Sequence, residues 1–594
     1  MRRFLTLALT ATVVCATGLV ATPADAAALP DWVRPAPASK ALEVAPAFAG
    51  KLAPMVANRP AMLLATDYYF YPYSGGDRPT VYLTVDGNGY SEPVSMWLYW
   101  ENRKTGERRF LSQSGGLLPR GTVRDLFGAA GSPLAIFAPS VTKLKLLGDG
   151  GALGQAPLLP TGMYQFVVEL RDASGATVIS RDNAMYSHVD GVVSVSGTII
   201  EDTVWTNNNA YLLDSAPVYI GGNPITDNPP LTPTNLFIEP GTVVLGSTAN
   251  QGTLVVVRDS KIFATGTPSL PIVFSSVQPY GSRTTGDWGG LVLNGRAPVN
   301  DPTIPNNPDA GEGASGAYGG DNPNDSSGVL QYVRVEFAGI RFTDTNELNG
   351  IALQGAGRGT VLDHIQITQS QDDGIEFFGG TANASYVFVY GARDDSLDWT
   401  QGWTGRMENM VVIQRMDDGD NGMECDNWEF GFDFEPRSLP QVRNATVVGR
   451  LGFPGQENGS GARLRAGTAG LITGGIFYNF GRSGIRIQTQ ESLGQIAEGN
   501  LNISNTIIFG HGSDRNFEGD DLAVIAGMLE SPENNNLFVD PMLADPLNPL
   551  KPDVTLLAGS PAADARNAGT LSYIGGVDPN YPWIYEEWIS WAEN

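Results

Sequence analysis

Asn349-Gly-Ile-Ala-Leu, Asp373-Gly-Ile-Glu-Phe, Asp395-Ser-Leu-Asp-Trp, Asn421-Gly-Met-Glu-Cys, Ser460-Gly-Ala-Arg-Leu and Ser483-Gly-Ile-Arg-Ile are six runs of one pattern. Each has a small polar residue, then Gly or Ser, then apolar, variable, apolar. Their starts lie 24, 22, 26, 39 and 23 residues apart. A period in this range marks a repeat architecture. Apolar residues alternating with one variable position give the two-residue period of a strand with one buried face. Stacked as rungs, the runs place Ala352, Glu376, Asp398, Glu424, Arg463 and Arg486 in one outward column, acids first and bases after. Cys425, Phe377 and Trp399 then point inward, and Cys425 reads as a small core residue rather than a nucleophile.

The whole chain fits that reading. Its 594 residues exceed one ordinary globular domain but suit a solenoid. Gly at 72 and Pro at 40, with 42% hydrophobic residues, suit many short strands joined by turns. A net charge of −26 argues against nucleic acid as partner. Residues 1–26 read as a Sec signal: Arg2 and Arg3, an apolar core from Leu5 to Val20, and the small-residue site Ala24-Asp-Ala26. The expected location is therefore secreted or cell-surface. No later run approaches the length of a membrane span. Beyond the signal only Cys425 remains, so no internal disulfide is expected.

Residues 27–60 are rich in Ala and Pro and read as a linker. Residues 61–188 are strand-rich without the repeat. There Thr161-Gly-Met-Tyr-Gln-Phe-Val-Val-Glu-Leu, leading to Asp172-Ala-Ser-Gly, resembles a late strand of immunoglobulin-like β-sandwiches. From 189 to about 575 the pattern changes. Leu236-Phe-Ile-Glu-Pro-Gly-Thr-Val-Val-Leu, Thr253-Leu-Val-Val-Val, Lys261-Ile-Phe-Ala and Pro271-Ile-Val-Phe-Ser-Ser resemble opening coils of right-handed parallel β-helices of bacterial surface proteins. A second ladder, from Val329–Phe337 to Leu471–Tyr478, interleaves with the first, as in the pectate-lyase-like superhelix. Gly286-Asp-Trp-Gly-Gly-Leu-Val-Leu-Asn-Gly-Arg and Ser370-Gln-Asp-Asp-Gly-Ile-Glu-Phe-Phe-Gly-Gly are similar to segments of a large group of secreted bacterial β-helix proteins. The expected fold class is all-β: a right-handed parallel β-helix preceded by an immunoglobulin-like β-sandwich. Residues 576–594 are expected to form a cap, with Trp583–Ala592 as a short amphipathic helix over the open end.

The chemistry concentrates in acidic pairs. Asp372-Asp373, Asp394-Asp395 and Asp417-Asp418 recur at 22 and 23 residues, which predicts stacking about 4.8 Å apart. Two carboxylates at roughly 5 Å repel by about 3 kcal/mol at an effective dielectric of 20. Relief can come from a bound cation, from raised pKa values, or from Arg393 and Arg415. Calcium, which takes six to eight oxygens, suits Asp372, Glu376, Asp398, Asp417, Asp418 and Glu424 as ligands. The alternative is that the acids sit at solvated turns or cap backbone N–H groups. The pectate-lyase-like resemblance implies calcium on Glu376, Asp398 and Glu424 with Arg463 or Arg486 as base. A polygalacturonase-like resemblance, carried faintly by Ser483-Gly-Ile-Arg-Ile-Gln, implies a carboxylate pair drawn from Asp373, Asp394 and Asp395, although that family's histidine motif is missing. Three scattered histidines exclude an ordinary zinc site, and no Gly-x-Ser-x-Gly or phosphate loop occurs. Asn300–Gly328 reads as a mobile loop or a second calcium loop. Trp403, Trp428, Phe430 and Phe432 are candidates for a platform against sugar rings. The function expected is binding of extracellular polysaccharide or a structural, adhesive role; the alternative is a lyase or hydrolase acting on an acidic glycan.

Overall fold

The computed structural model describes residues 60–591, apart from 73–76, 87–93, 112–116, 119–141, 152–153, 157, 173–176, 227–230, 344–345, 454–458 and 513–514. The expected signal segment and nearly all of the Ala/Pro-rich linker lie outside the described residues.

From Gly191 onward the chain winds as a right-handed parallel β-helix. One parallel sheet climbs from Gly191–Val195 to Leu501–Ser504 and Ile507–Phe509, and a second from Thr198–Ile199 to Phe517–Gly519. Seven strands of the second sheet matter most: β1 (Ile351–Gln354), β2 (Ile375–Phe378), β3 (Leu397–Thr400), β4 (Met423–Asp426), β5 (Ser460–Arg465), β6 (Ser483–Ile487) and β7 (Phe517–Gly519). Their register aligns Ala352, Glu376, Asp398, Glu424, Arg463, Arg486 and Glu518 in one file. The residues on either side face inward. Phe377, Trp399, Cys425, Leu464 and Ile487 are all 0% exposed and share one core. Each such side chain contributes about 1.5–3 kcal/mol by leaving water, and that repeated gain fixes the register: a one-residue slip would bury the acids and expose the core.

The coils of the first sheet bend at a stacked set of left-handed residues. Tyr332, His364, Tyr386, Asn409, Asn444 and Asn505 have φ between 49° and 57°. Asn tolerates this region better than most residues, because its short polar side chain bonds locally. The rings of Tyr332, His364 and Tyr386 stack with centroids 4.4 Å apart at each step.

Residues 61–188 form two sheets over one core. A three-stranded antiparallel sheet (Ala61–Thr66, Val81–Asp86, Thr142–Leu147) faces a six-stranded sheet centred on Gly162–Asp172. Met62, Leu83, Leu98, Phe166 and Tyr186 fill the space between them. This pairing defines a two-sheet unit.

The expected terminal cap is corrected. Trp583–Tyr585 is a single 3₁₀ turn, not a helix, and it does not cover the open end. Trp583, Trp588 and Trp591 instead pack along the outer face of the first sheet, on Phe388, Tyr390, Val411 and Ile413. The reason is the flank itself: that face is apolar, and Leu63 and Ala65 of the two-sheet unit join the same cluster. Glu587 ties the segment down by pairing with Arg181 and, at 2.6 Å, with Arg103. The end of the helix is covered by α1 (Gln490–Glu498) and α2 (Leu522–Leu529), whose Leu493, Ile525, Met528 and Leu529 complete the interior core.

Candidate metal centre

The outer file of the second sheet has three zones. At its beginning Tyr219, Val255, Val292 and Ala352 are apolar and lie beneath Ile304 and Tyr318 of the segment 300–328. That segment is folded against the coils, with the Tyr318 hydroxyl donating to Gln401 Oε1 at 2.8 Å. Among the described residues its Asp321 and Asp325 join no group of metal-ligand geometry. What it does is carry Glu312 to the edge of the next zone.

There β2, β3 and β4 present Glu376, Asp398 and Glu424. A cavity of about 310 Å³ is lined by Glu312, Glu347, Asp372, Asp373, Glu376, Asp394, Asp395, Asp398, Asp420, Glu424 and one base, Arg463. Ten carboxyl groups surround it. Four overlapping trios have oxygens within 4.8 Å of one another: Glu347, Asp372 and Asp394; Asp373, Glu376 and Asp398; Asp373, Asp394 and Asp395; Asp395, Asp398 and Glu424.

Two of the acids also hold the turns. Asp373 Oδ1 accepts the Asp395 N–H at 2.9 Å, and Asp395 Oδ1 accepts the Asn421 N–H at 2.5 Å. Asn421 Oδ1 accepts from Ser460 N at 3.1 Å, so the capping ladder continues upward with neutral residues. Each side chain satisfies a backbone donor one coil on, as buried N–H groups require. The acids that cap these turns are thus also members of the close trios. Glu376 Oε2 accepts from Asn349 Nδ2 at 2.6 Å, and the same amide reaches Glu312 Oε2 at 3.3 Å. Asp398 differs. Its Oδ1 is buried without a hydrogen-bond partner among the described residues.

Burial and mutual repulsion push these carboxyls up. Asp372 is raised to about 9 by burial and then by Glu347, Glu312 and Asp394. Glu312 is raised to about 8 by burial and Glu347, and Asp394 to about 6 by burial, Asp420 and Glu424. Asp373, Glu376, Asp395 and Asp398 are all driven well above the usual carboxylate range, burial first and neighbouring acids next.

The bases near this zone are committed. Arg463 Nη1 lies 2.7 Å from Glu424 Oε1, and its Nε donates to Gln488 Oε1 at 3.0 Å. Arg465 spans Glu424 and Asp426 at 2.5 and 2.9 Å. Arg486 pairs with Glu518 at 3.2 Å, one coil further on.

Several sequence expectations need correction. Asp417 and Asp418 stand outside the cavity, where Asp417 pairs with Arg415 at 2.9 Å and Asp418 with Arg393 at 2.6 Å. Those two arginines consequently do not reach the acids of the cavity. Asp420 takes the third stacked position because the register follows the Asn421 run, not the 22-residue count. Glu312 and Glu347 were not anticipated, since both come from connections that carry no repeat. Arg486 lies two coils beyond Glu424, away from the cavity. Asp373, Asp394 and Asp395 do come together, each with an oxygen within 4.8 Å of the others, close to the roughly 5–5.5 Å separation of a retaining glycosidase pair.

Trp403 is not a platform. It is 0% exposed, stacks on Phe377 at 4.0 Å, and donates its indole N–H to Ala382 O at 3.0 Å. Trp403→Ala is expected to cost about 3–5 kcal/mol of stability and to leave ligand affinity of the folded protein unchanged, as paired melting and titration would show. Trp428 is half-buried, whereas Phe430 and Phe432 are 77% and 36% exposed on the loop after β4. Asn427 holds that loop by donating to the carbonyls of Phe432 and Phe434, both at 3.0 Å.

No curated protein matches the sequence. Among solved structures, the catalytic unit of the thermostable GH87 alpha-1,3-glucanase from Streptomyces thermodiastaticus strain HF3-3 shares 10% identity over 80% of this chain and 96% of its own, with a TM-score of 0.25. The family model described as "Pectate-lyase like beta helix domain" matches residues 197–531, more than half of the chain. That span holds every carboxylate of the cavity and the coils that stack them, and the chain belongs to the pectate-lyase-like beta helix domain family.

Proposed function

We propose that the cavity is a calcium centre for more than one ion, and that through these ions the protein binds acidic polysaccharide outside the cell. One observation carries the reading: among the described residues ten carboxyls line the cavity with one guanidinium, and Asp398 has a buried oxygen without a hydrogen-bond partner. Such a group of charges stays folded only if it holds protons or cations. Hard oxygen donors select calcium or magnesium. Magnesium prefers near-ideal octahedra and keeps its waters, whereas calcium accepts many carboxylates in irregular geometry. Asp372, Asp373, Glu376, Asp394, Asp395, Asp398 and Glu424 would supply the ligands, with Glu312, Glu347 and Asp420 at the margins. When bound, calcium offers open coordination positions to the carboxylates of a sugar chain. Family membership and the solvent-facing rings of Phe430 and Phe432 support polysaccharide as the partner. The N-terminal signal supports secretion.

A lyase reading has one observation in its favour. Arg486 is held below the ordinary guanidinium range, by burial first and then by Arg482 and Arg463. Against it, Arg463 and Arg486 are both engaged with acids, and a paired guanidinium keeps its proton. Calorimetry with polyuronates and with neutral glucans decides between the outcomes. The expected result is polyuronate binding in calcium that disappears in chelator, with no unsaturated product formed. Binding that persists in chelator, or a preference for neutral glucan, contradicts the proposal.

A further inference from the structure

The two ends of the β-helix are finished differently. At the far end α1 and α2 close the interior with Leu493, Ile525 and Leu529. The first coil, built from Gly191–Val195, Thr198–Ile199 and Thr203–Trp205, has no such cover among the described residues. Each of its strands stands last in its sheet and pairs only with the next coil. The inward file shows the consequence. Val193, Tyr211, Val244 and Phe274 stack in register, and their exposures are 41%, 6%, 0% and 0%. Val195 and Ile199 also reach the interior core yet stay partly open. Val192, Ile200 and Val204 add exposed apolar surface on the same coil. A solenoid end in this state leaves core and strand edges to solvent, and such ends need a cap. The charge there has one sign: from Asp190 to Val257 the sequence holds six acids and no Lys or Arg.

We infer that residues 27–59 close this end, laying apolar side chains on the first coil and an extended stretch along its free edge. These residues lie outside the described ones, and their sequence fits the site in three respects. It is net positive, with Arg34, Lys40, Lys51 and Arg59 against Asp31 and Glu43. It offers one stretch suited to a strand: eight residues between Pro37 and Pro46 contain no proline, and Leu42 and Val44 face the same way in an extended chain. Proline lacks an N–H, so Pro37 and Pro46 would keep the new edge from recruiting a further strand. It is also long enough. Leu63 and Ala65 share a cluster with Val411, which lies seven register steps from Val192. At about 4.8 Å per coil the return covers roughly 34 Å, whereas 33 residues span on the order of 110 Å when extended. A second copy docked end to end is the competing occupant, but the like charge of two acidic ends opposes it. A tethered segment has in addition the high effective concentration that its tether sets. The Ala/Pro-rich stretch is then a cap rather than a spacer. None of these features involves the calcium cavity.

Hydrogen exchange on the chain from residue 27 onward, in calcium, tests this. The amides of Gly191–Ile200 are expected to exchange about tenfold more slowly, or slower still, than in a variant whose residues 27–59 are replaced by a Gly/Ser stretch of equal length. Lys40→Glu combined with Lys51→Glu keeps the apolar residues and reverses the charge. Its edge amides are expected to exchange faster than the native ones at low salt and to recover as salt rises, whereas native protection weakens with salt. General loss of fold does not produce opposite salt responses. Equal exchange of these amides in the native and Gly/Ser chains overturns the cap. Protection that survives in the Gly/Ser chain alongside a dimer in sedimentation overturns it in favour of a second copy.

Discussion

In chelator, the melting temperature is expected to fall by roughly 5–10 °C as pH rises from about 5 to 9, and in millimolar calcium that fall is expected to disappear. The cause is the set of raised carboxyls. In the unfolded chain these acids ionise near 4, whereas in the folded chain without cations Asp372 holds its proton to about 9, Glu312 to about 8 and Asp394 to about 6. Below pH 4 both states are protonated and nothing differs. Between about 4 and 9 the folded state binds more protons than the unfolded one, so each step up in pH favours unfolding. On the proposed calcium reading, bound ions would replace those protons. The folded carboxyls are then ionised at neutral pH, and stability is lost only as pH drops towards 4 and protons displace the metal. Saturation at about a thousandfold over the dissociation constant adds about 4 kcal/mol per ion, so the two curves separate most at high pH. Identical pH slopes in the two buffers would contradict this.

Asp398→Asn is expected to have opposite effects in the two buffers. Asp398 belongs to two of the four trios, stands between Glu376 and Glu424 in the file, and has a buried oxygen that accepts no hydrogen bond from the described residues. In chelator the substitution removes a buried acid that must hold its proton for the chain to stay folded, so the melting temperature should rise by a few degrees. In calcium it removes a shared ligand, and affinity should fall roughly 100-fold, about 2.7 kcal/mol. Asp395→Ala serves as the contrast. Its carboxylate also caps the Asn421 N–H, so a loss in both buffers is expected there. Equal destabilisation by Asp398→Asn in both buffers would mean that Asp398 acts only as a structural group.

The outer file was readable from sequence because alternation and a nearly constant period together determine which residues stack. Every pairing from Ala352 to Arg486 follows from aligning the six runs. The same alignment would have identified Asp420, four residues before Glu424 as Asp394 is before Asp398. Counting 22 or 23 residues from one acidic pair to the next pointed to Asp417 and Asp418 instead, because extra residues precede Asn421. Glu312 and Glu347 left no periodic signal. One sits on a short turn of the 300–328 segment and the other on a hairpin with Arg341–Thr343, and only folding brings them to the cavity. The tryptophan tail misled for a related reason. Apolar spacing at 584, 588 and 591 suits a helix, but an uncovered apolar flank and Glu587's pairing with two arginines hold it in another form.

Counting bound calcium by equilibrium dialysis, at neutral pH and submillimolar free calcium, tests the central claim most directly. The cavity predicts at least two ions per native chain, and fewer after Asp398→Asn. No bound calcium at millimolar free concentration, in a chain that is folded by its melting curve, would contradict it.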